Sequence, residues 1–365
     1  MSSTLSIPAN SVPNAAELRA QYAALQQQNV HLRARNAAAQ LGVSEGELVA
    51  ARVGEGVIRL RNDFKELLES MISVGQVMTI TRNEYAVNEK RGYYGNLQLK
   101  DHGGGAFDSN INLRIFFRHW HHVFAVSEGG AHGARDSVQI FDADGTSVHK
   151  IYRTEDGDEA AWRALVERFT AVDQTPGMTP QPVSEPYQPQ SPQQVNAAEL
   201  RKDWLAITDL HQFWQLQVKY RLRRVDALGL AGEDLARPVA ADAFRTVMHK
   251  VAESGLSIMV FTRSPGVAQI HTGPVHKLVE RDGWFNVLDP TFNWHLRMDA
   301  VHEAWVVYRP DVTGGQYSLE LYHQDGTLIS HLFGAVHLQA PELRGWRQLL
   351  ADLPTLDRER ARHVA

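Results

Sequence analysis

The sequence has no cysteine among its 365 residues. That absence removes disulfides, thiolate-bound zinc, iron–sulfur clusters and a cysteine nucleophile together. No apolar run approaches the ~20 residues that a membrane-spanning helix needs. The opening stretch MSSTLSIPANSVPNAAELR has neither a basic start nor an apolar segment, so no secretory signal is expected and the expected compartment is the cytoplasm. Neither sign of charge dominates: 37 Lys and Arg against 42 Asp and Glu leave a net charge of −5, which argues against broad contact with a nucleic-acid backbone. What remains, 43% hydrophobic and 22% charged residues, is the composition of a globular protein long enough for two domains.

The chain reads as one unit written twice. AAELRAQYAAL starts at Ala15 and AAELRKDWLAI at Ala197, 182 positions later. VMTITRN from Val77 matches IMVFTRS from Ile258, and SVQIFDADGT from Ser137 matches SLELYHQDGT from Ser318, both 181 apart. Asn112–Arg114 matches His295–Arg297 at 183. Between the copies lies a stretch with prolines at 176, 180, 182, 186, 189 and 192, too dense for a helix or a central strand. The expected organisation is a first repeat over 1–172, a linker over 173–196 and a second repeat over 197–365. Each repeat opens with helical periodicity and continues with alternating strand-like runs, with Asp144-Gly145 and Asp325-Gly326 as hairpin turns. The expected class is α+β: a tandem repeat, each half a large antiparallel sheet with packed helices, and a ligand cleft between the halves.

A function needing a single site should appear where the copies differ. Matching Arg35-Asn36-Ala37 to Arg224-Val225-Asp226 implies that the second copy gains about 189 − 182 = 7 residues within TDLHQFWQLQVKYRLRR. Thr208 or Asp209 could cap a helix there, placing His211 in its first turn, where the helix dipole disfavours imidazolium. A neutral imidazole can ligate a metal ion. Phe213 and Trp214 could pack on a flat ligand, and the basic run Lys219, Arg221, Arg223 and Arg224 could pair with its anionic groups. Haem meets all three demands. A capping histidine beside a solvated basic helix face accounts for the same local pattern.

The duplicated body, together with TDLHQFW, SIMVFTRSPGVAQIHTG, WFNVLDPTFNWHLR and SHLFG, resembles the bacterial haemin-degrading or haemin-transport factors of the HemS/ChuS/PhuS type over residues 15–350, linker excluded. The resemblance implies haem as cofactor or substrate, held between the halves. It implies His211 as axial iron ligand and Arg114 as the distal, catalytic arginine, with Phe116 near the porphyrin. It further implies Arg224 as a propionate partner, Met259 and Phe261 in the pocket wall, a basic residue at Arg309, and His331 and Phe333 near the end. It extends to a haem importer, a haem oxygenase or a reductase as partners, without membrane insertion. One departure stands out: Ala335 and Val336 occupy positions where the family commonly has Lys and Arg, with His337 as a partial substitute.

Such a site permits oxidative opening of the haem ring with release of iron, or storage and hand-over to a separate enzyme. The remaining cluster, His119-Trp120-His121-His122, puts at most two histidines on one strand face and offers no recognisable third ligand, so zinc is not expected there. The other aromatic residues are expected in the core.

Overall fold

The computed structural model describes residues 14–29, 32–130, 133–183, 187–208, 212–312, 314–335 and 344–356. His211, Val336 and His337 lie outside the described residues.

The first half runs α1 (Ala15–Gln28), α2 (Ala34–Leu41), α3 (Glu45–Ala51), β1 (Val57–Arg59), α4 (Phe64–Val74), β2 (Gly75–Arg82), β3 (Ala86–Gly92), β4 (Leu97–Lys100), β5 (Gly103–Phe107), β6 (Asn112–Phe116), β7 (His122–Gly130), β8 (Gly133–Phe141), β9 (Ser147–Gly157) and α5 (Glu159–Phe169). The second follows the same order: α6 (Ala197–Leu205), α7 (Phe213–Tyr220), α8 (Arg224–Ala231), β10 (Ala236–Val239), α9 (Ala243–Ser254), β11 (Ile258–Arg263), β12 (Val267–Gly273), β13 (Leu278–Arg281), β14 (Trp284–Asp289), β15 (Phe292–Arg297), β16 (Glu303–Arg309), β17 (Gln316–Tyr322), β18 (Leu328–Gly334) and α10 (Arg344–Ala351).

The protein is α+β with two antiparallel nine-stranded sheets, and the halves exchange strands. One sheet is ordered β1-β7-β8-β9-β2-β3-β15-β14-β13, the other β10-β16-β17-β18-β11-β12-β6-β5-β4. Each half therefore lends three consecutive strands to its partner's sheet, through the β3–β15 and β12–β6 pairs. The lent strands keep one face on their own helices. Ala106, Leu113 and Ile115 of β5 and β6 share a core with Leu67, Leu68 and Met71 of α4 and Trp162, Leu165 and Phe169 of α5. Phe285, Val287 and Trp294 of β14 and β15 do the same with Phe244, Val247 and Met248 of α9 and Trp346 of α10. Helical spacing supplies the buried stripe of α4 at Leu67, Leu68, Met71 and Val74, each side chain worth roughly 1.5–3 kcal/mol when fully buried.

Where β2 and β3 meet β11 and β12, the buried contact is polar, and residues meet their own counterparts 181 positions on. Gln269 Nε2 donates to Asn88 O at 2.9 Å and to Asn88 Oδ1 at 3.0 Å, and Thr81 Oγ1 donates to Gln269 Oε1 at 2.9 Å. Lys90 Nζ lies 3.2 Å from His271 Nδ1, and His271 Nε2 lies 3.3 Å from Gly273 O. Burial and the neighbouring Lys90 push His271 down to about 3, so its neutral ring accepts from the lysine. The ring also stacks on Phe292 at 3.7 Å.

The expected seven-residue gain ahead of the second sheet is absent. Among the described residues three α-helices precede the first strand in both halves; α2 and α7 start 213 − 34 = 179 apart, and so do α3 and α8, 224 − 45 = 179. Both second helices end on a left-handed residue, Gly42 at φ 70° and Arg221 at φ 46°. The register thus falls from 182 to 179, because α6 is five residues shorter than α1 and the connection to the next helix is two residues longer, 5 − 2 = 3. A three-residue sequence match had suggested the opposite sign; the helical boundaries decide it. The described parts of the proline-rich segment hold a 3-10 turn at Pro192–Gln194 and are strapped to the surface, with Gly177 N donating to Ala50 O at 2.8 Å and Tyr187 OH to Leu222 O at 2.7 Å.

Burial pushes Lys90 down to about 8 from 10.5, so at neutral pH the folded state carries a desolvated ammonium. The cost is fully present below pH 8 and is relieved between pH 8 and 10.5, where the unfolded chain alone keeps the proton. Lys90→Met should therefore be more stable than wild type at pH 7, by on the order of 3 kcal/mol, with the gap closing towards the top of that range. Urea unfolding at a series of pH values measures it; a pH-independent gap contradicts the assignment.

Candidate functional site

The strand register puts seven expected site residues on one face of one sheet. Opposed residues of an antiparallel pair share a face, and so do residues two apart along a strand. Met259 opposes Phe333, and Phe261 opposes His331. Phe333 and His331 oppose Ser318 and Glu320 of β17, and Arg309 opposes Gln316 on the same strand. On the other side Phe261 opposes Ile270, and Ala268 opposes Arg114 of β6, two residues before Phe116. Arg114 and Phe116 belong to the first half and reach this face only because β6 is lent to the second sheet. From β6 to β18 is three strand spacings, about 14 Å, wide enough for a large flat ligand.

The platform is aromatic at one end. Phe261, His331 and Phe333 form a mutual edge-on cluster, with ring centroids 4.6, 5.3 and 5.2 Å apart. Phe116 is 38% exposed, on the open part of the face. Arg114 is partly buried; its Nη1 donates to Asn112 Oδ1 at 2.6 Å, and its guanidinium lies 4.4 Å from the Phe107 ring centroid. Its Nη1 also donates to Leu113 O at 3.1 Å, and burial lowers its pKa.

Arg224, the first residue of α8, joins the face from above through a buried carboxylate. Glu320 is fully buried and accepts from Arg224 Nε at 2.7 Å and Nη2 at 2.6 Å. It also accepts from Arg309 Nη2 at 2.5 Å, Ser318 Oγ at 2.9 Å and Tyr322 OH at 2.5 Å. Burial alone would raise the Glu320 pKa, but the two guanidiniums hold it well below the carboxylate range. Burial and repulsion from Arg224 bring Arg309 down to about 10, still charged at neutral pH. Phe213, at the start of α7, covers both guanidiniums at 4.4 and 5.0 Å. Arg224 and Arg309 are thus brought together, but as partners of Glu320.

Beside this cluster lie buried polar atoms without partners among the described residues: His331 Nδ1 and Nε2, and Arg309 Nε. Burial, then Arg309, pushes His331 well below its ordinary pKa, so its ring is neutral with a free lone pair. An apolar platform edged by cations and orphaned nitrogens suits a flat ligand with anionic substituents.

Sequence reasoning missed Glu320 and its two hydroxyl donors. The signal was present in SLELY, where Ser318, Glu320 and Tyr322 alternate with the core residues Leu319 and Leu321. Ala335 is buried, at the end of this face. His119 and His121 meet a third residue after all: their Nδ1 atoms lie 2.9 and 3.1 Å from the two oxygens of buried Asp142. That arrangement clamps the segment between β6 and β7, and no group able to hold a metal ion occurs among the described residues.

A protein-family model, the haemin-degrading HemS/ChuX domain, matches residues 42–169 and again 221–353, well over half of the chain. The chain belongs to this family. Across the HemS/ChuX family, the hemin transport protein HmuS of Yersinia pestis is 36% identical over 343 residues, covering 94% of this chain and 99% of that protein. Among solved structures, the fold is similar to holo-PhuS, a heme-binding protein from Pseudomonas aeruginosa, with a TM-score of 0.92 at 40% identity, covering 94% of this chain and 100% of that one. It is also similar to the heme-degrading enzyme ChuS of Escherichia coli O157:H7, with a TM-score of 0.88 at 35% identity, covering 93% and 99%.

Removing one hydroxyl from the carboxylate shell tests its energetics. Tyr322→Phe should cost about 1.5–3 kcal/mol of unfolding free energy, as expected for a buried hydrogen bond to a charged group, and Ser318→Ala less. Urea titration measures both, and a neutral Tyr322→Phe contradicts the bond.

Proposed function

We propose that this protein binds haem on the shared sheet face, as a cytoplasmic component of bacterial haem uptake, and degrades it oxidatively to release iron. The observation that carries the reading is the convergence of Arg114, Phe116, Met259, Phe261, Arg309, His331 and Phe333 on one face, with His331 and Arg309 nitrogens that have no partner among the described residues. Membership of the family and similarity to proteins described as heme-binding and heme-degrading support it. No helix among the described residues is long and apolar enough to cross a membrane.

His211, two residues before Phe213, supplies the imidazole ligand to the iron. Arg114 works from the sheet side. A protonated guanidinium has no available lone pair, so it acts by donating hydrogen bonds and stabilising negative charge that develops beside it. Phe116, Phe261, Phe333 and Met259 provide apolar contact and exclude water. Arg309 and Arg224 give the carboxylate end its positive potential. Haem itself supplies the iron and the conjugated ring on which the redox chemistry takes place.

A second reading is a carrier that hands haem to a separate oxygenase, supported by the description of HmuS as a transport protein. In both readings an importer, an oxygenase or a reductase is the expected partner. Reductant and oxygen, with catalase present, should convert the bound haem to a green or blue open tetrapyrrole under the degradative reading. Bleaching only when peroxide accumulates assigns the protein to transfer.

Haem titration followed by the Soret band separates the residue roles. His211→Ala should lose the native spectrum almost completely; an unchanged spectrum removes His211 from the ligand role. Arg114→Ala should keep binding but change the sixth-ligand signature and slow turnover, and identical spectra and rates contradict a distal role.

A further inference from the structure

We propose that Glu320 is a resident counter-anion that sets the pocket's affinity for carboxylate-bearing ligands: it occupies Arg224 and Arg309 in the free protein, and a ligand carboxylate binds by taking over part of that pairing. This rests on the haem reading above and adds to it the residue that tunes binding strength.

Three observations carry it. First, Glu320 is the shared acceptor of both guanidiniums, so the cluster of two cations and one anion has net charge +1, and the ligand meets cations already held in place. Second, Arg309 keeps a buried Nε without a partner among the described residues, and its guanidinium lies 4.8 Å from the Phe333 ring on the platform. Third, the scaffold does not require a carboxylate here. The residue 320 − 181 = 139 in the first half is Gln139, equally buried, with Nε2 donating to Ser137 Oγ at 3.0 Å. The positions matching Arg224 and Arg309 are there Glu45 and Glu128, and Glu45 pairs instead with Lys150. The buried carboxylate thus accompanies the arginine pair and is absent from the copy without it.

A carboxylate competing with the ligand lowers affinity while keeping the cations oriented and the pocket folded. For a protein that must give up its cargo or product, that is a means of release.

The test uses metal-free protoporphyrin, a dicarboxylate, and its dimethyl ester in the same mild detergent, with binding followed by fluorescence in the full chain. Glu320→Gln should bind the diacid about tenfold more tightly and the ester unchanged, since the net charge near the ligand rises from +1 to +2. Thermal melting checks the variant's fold. If it melts early, Arg224→Met combined with Glu320→Gln restores the wild-type net charge and should bind the diacid at least as tightly as wild type. Equal or weaker diacid binding by folded Glu320→Gln, or a loss in the double variant, overturns the proposal. A wild-type protein that binds neither porphyrin takes the haem reading down with it, whereas binding of the diacid by wild type with no response to Glu320→Gln removes only this role.

Discussion

The pairing of β6 with β12 is the constraint on which the candidate site depends. Arg114 and Phe116 come from one half of the chain, while Met259, Phe261, Arg309, His331 and Phe333 come from the other. A backbone ladder, rather than a packed interface between two bodies, holds the two sets in register. Ladder geometry fixes lateral spacing to the strand repeat and alternates side chains with a period of two, so a slip by one residue would turn Arg114 away from the face. The lent strands are also locked from the other side, through Leu113 and Ile115 in the core of α4 and α5. The site inherits the rigidity of two cores at once.

Electrostatics then distinguishes two sheet faces that the repeat makes alike. In the first half Glu45, at the position of Arg224, pairs at 2.5 Å with Lys150, at the position of His331; in the second, Arg224 and Arg309 converge on Glu320. Each arrangement keeps its buried ions paired, since ions out of water need close, well-bonded partners. Only the second leaves an excess of positive charge beside an apolar platform.

Much of this was legible in the sequence, and the gaps have physical causes. Motifs such as SIMVFTRS and SHLFG identify the platform residues, and alternation in SLELY states which side chains share a face. Alternation says nothing about which strand lies alongside, so the exchange of β4–β6 for β13–β15, with paired residues about 155 apart at β6–β12 and about 205 apart at β3–β15, has no local signature. The apparent insertion near residue 211 arose because helices tolerate substitution on their exposed faces; their ends, marked by left-handed Gly42 and Arg221, carry the alignment instead. Glu320 went unnoticed because a glutamate on a strand ordinarily faces solvent. Its burial follows from two arginines, one 96 positions earlier in the chain and one on the neighbouring strand.

The strand exchange also dictates an order of events at the ribosome. β3 finishes at Gly92, but its outer neighbour β15 ends at Arg297, so the earlier sheet waits with an open edge while some 297 − 92 = 205 further residues are made. At roughly 5–20 residues per second that is on the order of ten to forty seconds of unpaired amide and carbonyl groups. Truncation before β15 therefore leaves the N-terminal half unable to complete its own nine-stranded sheet.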